Sequence, residues 1–195
     1  MPMAPSGYAD GFARDSLPAE SDWPDFRFDT PAVDYPERLN AAAELLDAAL
    51  AKGWGDRIAV YSEARRLTYA ELAAEANRLA SGERVLIHGP NSIDMMVAWY
   101  GVLKAGGIAV MTMPLLREPE ITKIAKKAKI RLALCAAPLK EAVEKSMATG
   151  SGLERLVLMG KGEEMAVLMA TKPDSFDACD TAADDIALLA FTSGT

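Results

Sequence analysis

Histidine and cysteine are nearly missing from this chain: one His and two Cys in 195 residues. The thiols, Cys135 and Cys179, have no CxxC or CxxH companions. That spacing excludes the common zinc sites and a disulfide framework, and a reduced, cytoplasmic protein is the expectation. Long apolar runs are missing too. None approaches the ~20 residues that span a bilayer. Residues 1–10 lack the charged and apolar regions of a signal peptide. Positive charge is in short supply, with 21 Lys and Arg against 28 Asp and Glu and a net charge of −7. This balance argues against a general nucleic-acid binder, and no nucleic-acid partner is expected. Neither a GxxxxGK[ST] loop nor a GxGxxG turn occurs, and there is no internal repeat. What remains is ordinary: 50% hydrophobic and 25% charged residues. That is globular composition, enough for one core or for a domain plus an arm.

The first stretch differs from the rest. Residues 1–36 carry Pro2, Pro5, Pro18, Pro24, Pro31 and Pro36, with Tyr8, Phe12, Trp23, Phe26, Phe28 and Tyr35 between them. Prolines at this density prevent long helices and central strands. The aromatics are too many for a disordered tail. An irregular arm over 1–38, packing its rings on a domain of residues 39–195, is the expectation. A partner-binding segment is the rival reading.

From Leu39 the pattern turns helical, with Leu39, Ala42, Ala43, Leu46, Ala49 and Leu50 on one face. Gly53 and Gly55 stop it. Arg57-Ile-Ala-Val-Tyr61 reads as a strand, and Leu67 begins a short return. Thr68 and Glu71 fit a capping box for the helix behind them. β and α elements then alternate. Strands are expected at Arg84-Val-Leu-Ile-His88, Ile108-Ala-Val-Met-Thr112, Leu132-Ala-Leu-Cys135, Leu156-Val-Leu-Met159 and 186–191. Helices are expected through Ile93, Met96, Val97, Tyr100 and Leu103, from Glu118-Pro-Glu120 onward, and over 139–147. The acidic stretch 160–185 reads as a loop or short excursion. The fold class that follows is α/β: a doubly wound, mainly parallel sheet with helices on both faces, preceded by the Pro- and aromatic-rich arm.

In open parallel sheets, ligands bind beyond the carboxyl ends of the strands. The end Thr192-Ser193-Gly194-Thr195 is the candidate site. Its hydroxyls, with amides freed by Gly194, suit a phosphate. These are four common residues, however, and an ordinary strand-end turn fits them as well. His88 ends a strand with no acid partner identifiable nearby, so a hydrogen-bonded structural side chain is the favoured reading. Cys135 reads as a buried small hydrophobe. Cys179, in acidic surroundings, has its thiolate disfavoured. Asp184 and Asp185 are candidates for a metal, but neighbouring carboxylates on a strand point to opposite faces. A solvated pair is favoured, and no metal ligand or catalytic residue is assigned. Lys123, Lys126, Lys127 and Lys129 fit an anionic cofactor tail or, more simply, a solvated helix face.

Taken together, these pieces resemble the adenylate-forming acyl-CoA synthetases. Leu67-Thr-Tyr-Ala-Glu-Leu72 with Asn77-Arg-Leu-Ala80 is similar to that family's opening helix. Glu83-Arg-Val-Leu-Ile87, Gly89-Pro-Asn91 and Gly101-Val-Leu-Lys-Ala-Gly-Gly-Ile-Ala-Val110 are similar to its next βαβ unit. Asp185-Ile-Ala-Leu-Leu-Ala-Phe-Thr-Ser-Gly-Thr195 is similar to the strand leading into its ATP-phosphate loop. Phe12-Ala-Arg-Asp-Ser-Leu-Pro18, Tyr35-Pro-Glu-Arg-Leu-Asn40 and Thr112-Met-Pro-Leu-Leu-Arg117 resemble the benzoate and 2-aminobenzoate CoA ligases.

The resemblance implies a two-step reaction with ATP, Mg²⁺ and CoA on a small-molecule carboxylic acid. The family's phosphate loop continues with more glycine and a lysine. On that pattern Thr192, Ser193, Gly194 and Thr195 are the opening of an incomplete loop, and the 195-residue chain alone is expected to be inactive. Ala80-Ser81-Gly82 joins helix to strand more tersely than the family does. Two other readings stay open: a non-catalytic nucleotide- or partner-binding module, and another adenylating branch of the family. An unpaired apolar sheet edge would drive copies of the chain to associate as a homo-oligomer.

Overall fold

The computed structural model describes residues 3–8, 10–26, 34–79 and 83–192. The Ala80-Ser81-Gly82 connection lies outside them, as does Phe28. A short α1 (Phe12–Asp15) and a 3-10 turn at Glu20–Asp22 lie in the arm. A wide π-type turn, Ala43–Asp47, then runs into α2 (Ala48–Ala51). The hairpin β1 (Ile58–Tyr61) and β2 (Arg66–Thr68) is antiparallel. After it come α3 (Tyr69–Leu79), β3 (Arg84–His88), α4 (Ile93–Lys104), β4 (Ile108–Thr112) and α5 (Glu118–Lys127). The chain continues through β5 (Leu132–Ala136), α6 (Lys140–Ala148), β6 (Arg155–Met159) and α7 (Glu164–Ala170).

The order β4-β3-β5-β6 is parallel throughout. Successive side chains on a strand point to opposite faces. On β3, Val85 and Ile87 face a layer built by Ala73 and Ala76 of α3, Val97 and Val102 of α4, and Met165 and Met169 of α7. Leu86, between them, faces Ile121 and Ala125 of α5 and Val143 of α6. Both faces are therefore covered, which is the doubly wound arrangement that the alternating pattern implies. β3 lies inside the sheet and is apolar on both sides, as buried parallel strands must be.

Local chemistry explains the element ends. Thr68 Oγ1 accepts the Glu71 amide at 3.2 Å, and Glu71 Oε2 accepts the Thr68 amide at 2.8 Å, the capping box read from sequence. Ser92 Oγ caps α4 by accepting the Met95 amide at 3.2 Å. Gly106 ends α4 at φ 71°, where Gly107 N donates to Val102 O at 2.8 Å and Gly106 N to Leu103 O at 3.0 Å. This paired closure needs a left-handed residue, which glycine supplies without Cβ strain. Inside α4, a Cβ on Gly101 would stand 2.9 Å from Leu79 Cβ, so this glycine sets the close approach of α3 and α4. α4 is buried almost all round rather than on one stripe. Even Lys104 is 2% exposed in its side chain, with Nζ 2.6 Å from Asp47 Oδ1. An ion left unpaired at such depth would cost several kcal/mol.

The structure departs from the sequence reading in four places. Residues 186–191 do not form a full strand. They run parallel to the outer edge of β4 through one bridge, Ala109 with Leu188. Two bonds make it, Ala109 N to Ala187 O at 3.1 Å and Leu189 N to Ala109 O at 3.0 Å. The segment has one partner strand only, and the ladder is too short to count as a strand. Second, 160–185 contains α7, whose Met165 and Met169 are buried. Their i, i+4 spacing was the available signal. Third, the helix expected from Leu39 starts after Asn40. The Asn40 side chain accepts the Ala42 and Ala43 amides at 3.1 and 3.3 Å, while Leu39 pairs with Thr181. Fourth, the arm's rings divide. Phe12 lies under the Arg84 guanidinium, 4.5 Å from its centroid, and under Lys129 Nζ, at 4.8 Å. Tyr8 is half-buried, but Phe26 and Tyr35 stay exposed. Much of the arm's attachment is polar.

Candidate functional site

The carboxyl ends of the strands meet where their sequence positions suggest. His88 is the register partner of Thr112 on one side and of Cys135 on the other. The chain crosses from β3 to β4 in one direction and from β5 to β6 in the other, so the switch in winding falls between β3 and β5. His88 is fully buried there, with Nδ1 2.9 Å from Thr112 Oγ1. The Thr112 hydroxyl donates to Ile87 O at 3.4 Å. Nε2 is buried with no hydrogen-bond partner. Burial holds the imidazole below its ordinary pKa. Among the described residues no carboxylate is bonded to His88.

The thiols follow their sequence reading. Cys135 is fully buried, and burial, with Glu144 adding to it, pushes its pKa up to about 12. Burial and the carboxylates of Asp180 and Asp185 raise Cys179. Neither is an activated nucleophile. Lys123, Lys126 and Lys127 are exposed on α5. A cavity of about 300 Å³ opens among Arg65, Glu75, Arg78, Asp94, Met165 and Met169. Its cations are already paired, Arg65 with Glu75 and Asp94, and Arg78 with Asp174.

Of the candidate phosphate-binding residues, Thr192 is described and exposed. Ser193, Gly194 and Thr195 lie outside the described residues. The bridge between Ala109 and Leu188 is parallel. The segment therefore travels in the same direction as β4, and continuing the register brings Phe191 abreast of Thr112. Thr192 lies three residues beyond Leu189, on a segment that runs in the direction of β4.

The reading of Asp184 and Asp185 as a solvated pair fails for Asp185, while Asp184 is exposed. The Asp185 side chain is 2% exposed. Its Oδ1 accepts Ser6 Oγ at 2.5 Å and Arg14 Nη2 at 2.9 Å; its Oδ2 accepts the Gly7 amide at 3.0 Å and the Ala182 amide at 2.9 Å. Burial alone would raise this carboxyl. The bonds from Ser6, Gly7 and Ala182 and the charge of Arg14 hold it below its ordinary value instead. Asp184 accepts the Ala4 amide at 2.9 Å and Arg14 at 3.1 Å. The two carboxylates converge on one nitrogen of Arg14, and the arm buries Asp185 while Asp184 stays exposed. Sequence reasoning missed this cluster because nothing local links residues 4–14 to 184 and 185.

Comparison with known proteins decides the family. Residues 47–195 match the family described as AMP-binding enzyme. The chain belongs to that family. It is similar to a benzoate–CoA ligase of Thauera aromatica, 30% identical over 177 residues, covering 85% of this chain and 34% of that protein. It is also similar to a 3-hydroxybenzoate–CoA ligase of an Aromatoleum strain, 26% identical over 170 residues, covering 80% of this chain and 32% of that one. The crystal structure of an anthranilate CoA ligase in complex with anthranoyl-AMP shares the fold at a TM-score of 0.77, with 24% identity, 85% of this chain and 33% of that one. The chain thus spans about a third of the length of these relatives. Among the described residues no helix is long and apolar enough to cross a membrane.

Proposed function

We propose that this chain is part of an ATP-dependent, AMP-forming carboxylate–CoA ligase whose substrate is an aromatic acid such as benzoate or 2-aminobenzoate. What supports the reading is the match of residues 47–195 to the AMP-binding family, a match that runs through Thr192-Ser193-Gly194-Thr195. The names of the aromatic acid ligases among its relatives support the substrate class. In this reading the carboxylate attacks the α-phosphorus of ATP and pyrophosphate leaves. The thiol of CoA then attacks the acyl carbon, AMP leaves, and the thioester remains. Thr192, Ser193, Gly194 and Thr195 hold ATP phosphates through hydroxyl and amide donors, as loops at strand ends do.

Mg²⁺ would assist the first step by neutralising phosphate charge. The described residues contain no group of three or more His, Cys, Asp or Glu side chains able to hold it. This chain's described residues therefore do not fit that role, and no step is assigned to the ion. The reading divides the chain into an arm, 1–38, and part of an α/β subdomain, 39–195, in a cytoplasmic enzyme. The 195 residues alone span a third of the relatives' length, and on this reading they do not turn over.

The test is ATP–pyrophosphate exchange by the whole protein that contains this chain. Exchange that depends on benzoate or 2-aminobenzoate, followed by CoA thioester formation, is the expected result. No exchange with any aromatic or aliphatic acid would overturn the reading. Adenylate without thioester would move the protein to another adenylating branch.

A further inference from the structure

The segment that carries Thr192 has an unusual weakness. Its sequence, Ile186-Ala-Leu-Leu-Ala-Phe191, places two identical residues side by side. Leu189 packs against the α5–α6 face of the core, while Leu188 is 44% exposed. A one-residue slip toward the carboxyl end would put Leu188 in the buried place of Leu189 and Ala187 in the exposed one. Register in a strand is normally set by which residues must be buried, and here such a slip leaves a leucine in the buried place. The segment also has little else to hold it: two backbone bonds to Ala109 and no full ladder. Yet such a slip would displace Thr192 by about 3.3 Å and turn its hydroxyl to the opposite face.

The pin lies immediately upstream. Asp185 begins the segment, and its carboxylate accepts four donors, three of them from the arm: Ser6 Oγ, the Gly7 amide and Arg14 Nη2. Arg14 also reaches Asp184 and bonds the Ala4 carbonyl, so one guanidinium ties the arm's strand-like start to both carboxylates. Behind this cluster, residues 37–40 hold the other side of the same turn. Leu39 N donates to Thr181 O at 2.9 Å, Ala183 N to Glu37 O at 3.0 Å, and Arg38 forms an antiparallel bridge with Ala182.

We propose that this clasp sets the register of 186–192 on β4, and that Arg14 and Asp185 are positioning residues for the ATP-phosphate loop. The proposal rests on the ligase reading above for its ATP half and on geometry alone for its register half. Neither residue touches the nucleotide. They act through the backbone that carries Thr192. Misplacement of a binding group by as little as 1 Å costs on the order of a hundredfold in rate, so a slipped loop should be felt strongly in the adenylation step.

The experiment compares the whole protein with its Arg14→Met, Arg14→Lys and Asp185→Asn variants. Hydrogen exchange of the 186–191 amides reads the clasp directly and needs no activity. We expect exchange at least tenfold faster in Arg14→Met and Asp185→Asn, with the β3 and β5 amides unchanged. ATP KM should rise at least tenfold in both. Thioester formation from added acyl-adenylate, which needs no ATP phosphates, should keep its wild-type rate, a split that general loss of structure would not produce. Arg14→Lys keeps the charge and should recover most of the loss. If Asp185→Asn does not fold, Ser6→Ala combined with Arg14→Met opens the clasp from the arm side.

Unchanged amide exchange in these variants overturns the clasp. Faster exchange with unchanged ATP KM overturns the positioning role. A wild-type protein with no carboxylate-dependent ATP–pyrophosphate exchange overturns the ligase reading and the ATP half with it, while the amide result still decides the register half.

Discussion

The parallel sheet and the arm clasp are held together by different forces, and that difference governs what each can do. In the sheet, β3 is flanked on both edges and both faces by apolar groups. Its stability comes from area removed from water, which is non-directional and tolerant of detail. The clasp joins residues 3–14 and 37–40 to 179–185. It consists of carboxylates, amides, the guanidinium groups of Arg14 and Arg38, and the Asn40 side chain. Such groups gain little net energy when satisfied and cost much when left alone. The sheet therefore supplies stability, and the clasp supplies position.

Mutations should separate the two, beginning with the largest effect. Leu86 is fully buried in β3 against α5 and α6. Leu86→Ala should destabilise the protein by about 3 kcal/mol or more, through lost transfer energy and the cavity left behind. Urea denaturation should show a lower midpoint with an unchanged slope. A loss under about 1 kcal/mol would mean the sheet is not the stabilising half.

Asn40 tests the polar half. Its Nδ2 donates to Leu103 O at 2.9 Å and Cys179 O at 3.1 Å, while its Oδ1 caps the following helix. Asn40→Ala leaves those carbonyls and amides without this partner, and should cost about 2 kcal/mol in the same measurement. A neutral result would show that the clasp contributes no stability of its own.

Acid sharpens the comparison further, because each region contains one buried titrating group of opposite character. Burial lowers the His88 pKa, so the folded state prefers the neutral ring. Its contribution is present above the unfolded value of about 6.5 and falls away below it, by at most about 1.4 kcal/mol per pH unit. Asp185 is lowered. Its contribution is present above the ordinary carboxylate value of about 3.9 and is lost only as pH falls through its lower folded value. Denaturation at a series of pH values should therefore show loss from His88 first, and His88→Phe should remove that first step. An acid transition unaltered in this variant would assign it elsewhere.

The same division explains how much could be read from the sequence. The four core strands and α3 to α6 announce themselves by apolar periodicity and by caps such as Thr68 with Glu71. These are local signals, and the layered fold follows from them. The clasp has no local signal. Asp185 looks like a solvated acid beside Asp184, and only the folded chain brings Arg14 to it. α7 was legible in Met165 and Met169 but was masked by the acidic residues around it. The incomplete strand 186–191 has the composition of a strand, and its short ladder reflects pairing on β4 alone. Of the candidate site, the hydroxyl-rich end at Thr192 was legible as chemistry, whereas the arm's bonds to Asp185 upstream of it had no local signal.

The bonds from Ala4, Ser6 and Gly7 to Asp184 and Asp185 join positions 178 to 180 residues apart. On a ribosome adding about 5–20 residues per second, the arm waits roughly 10–40 s for its partner to emerge. The sheet, built from neighbours in sequence, has time to form in that interval, and Phe12 can already dock on Arg84 and Lys129, whereas the bonds of residues 4–7 to Asp184 and Asp185 must wait. Loop closure over such a separation is slow compared with helix or hairpin formation. The clasp therefore forms after the elements it spans: an arm that finds Asp185 reports that every element between them has already been made.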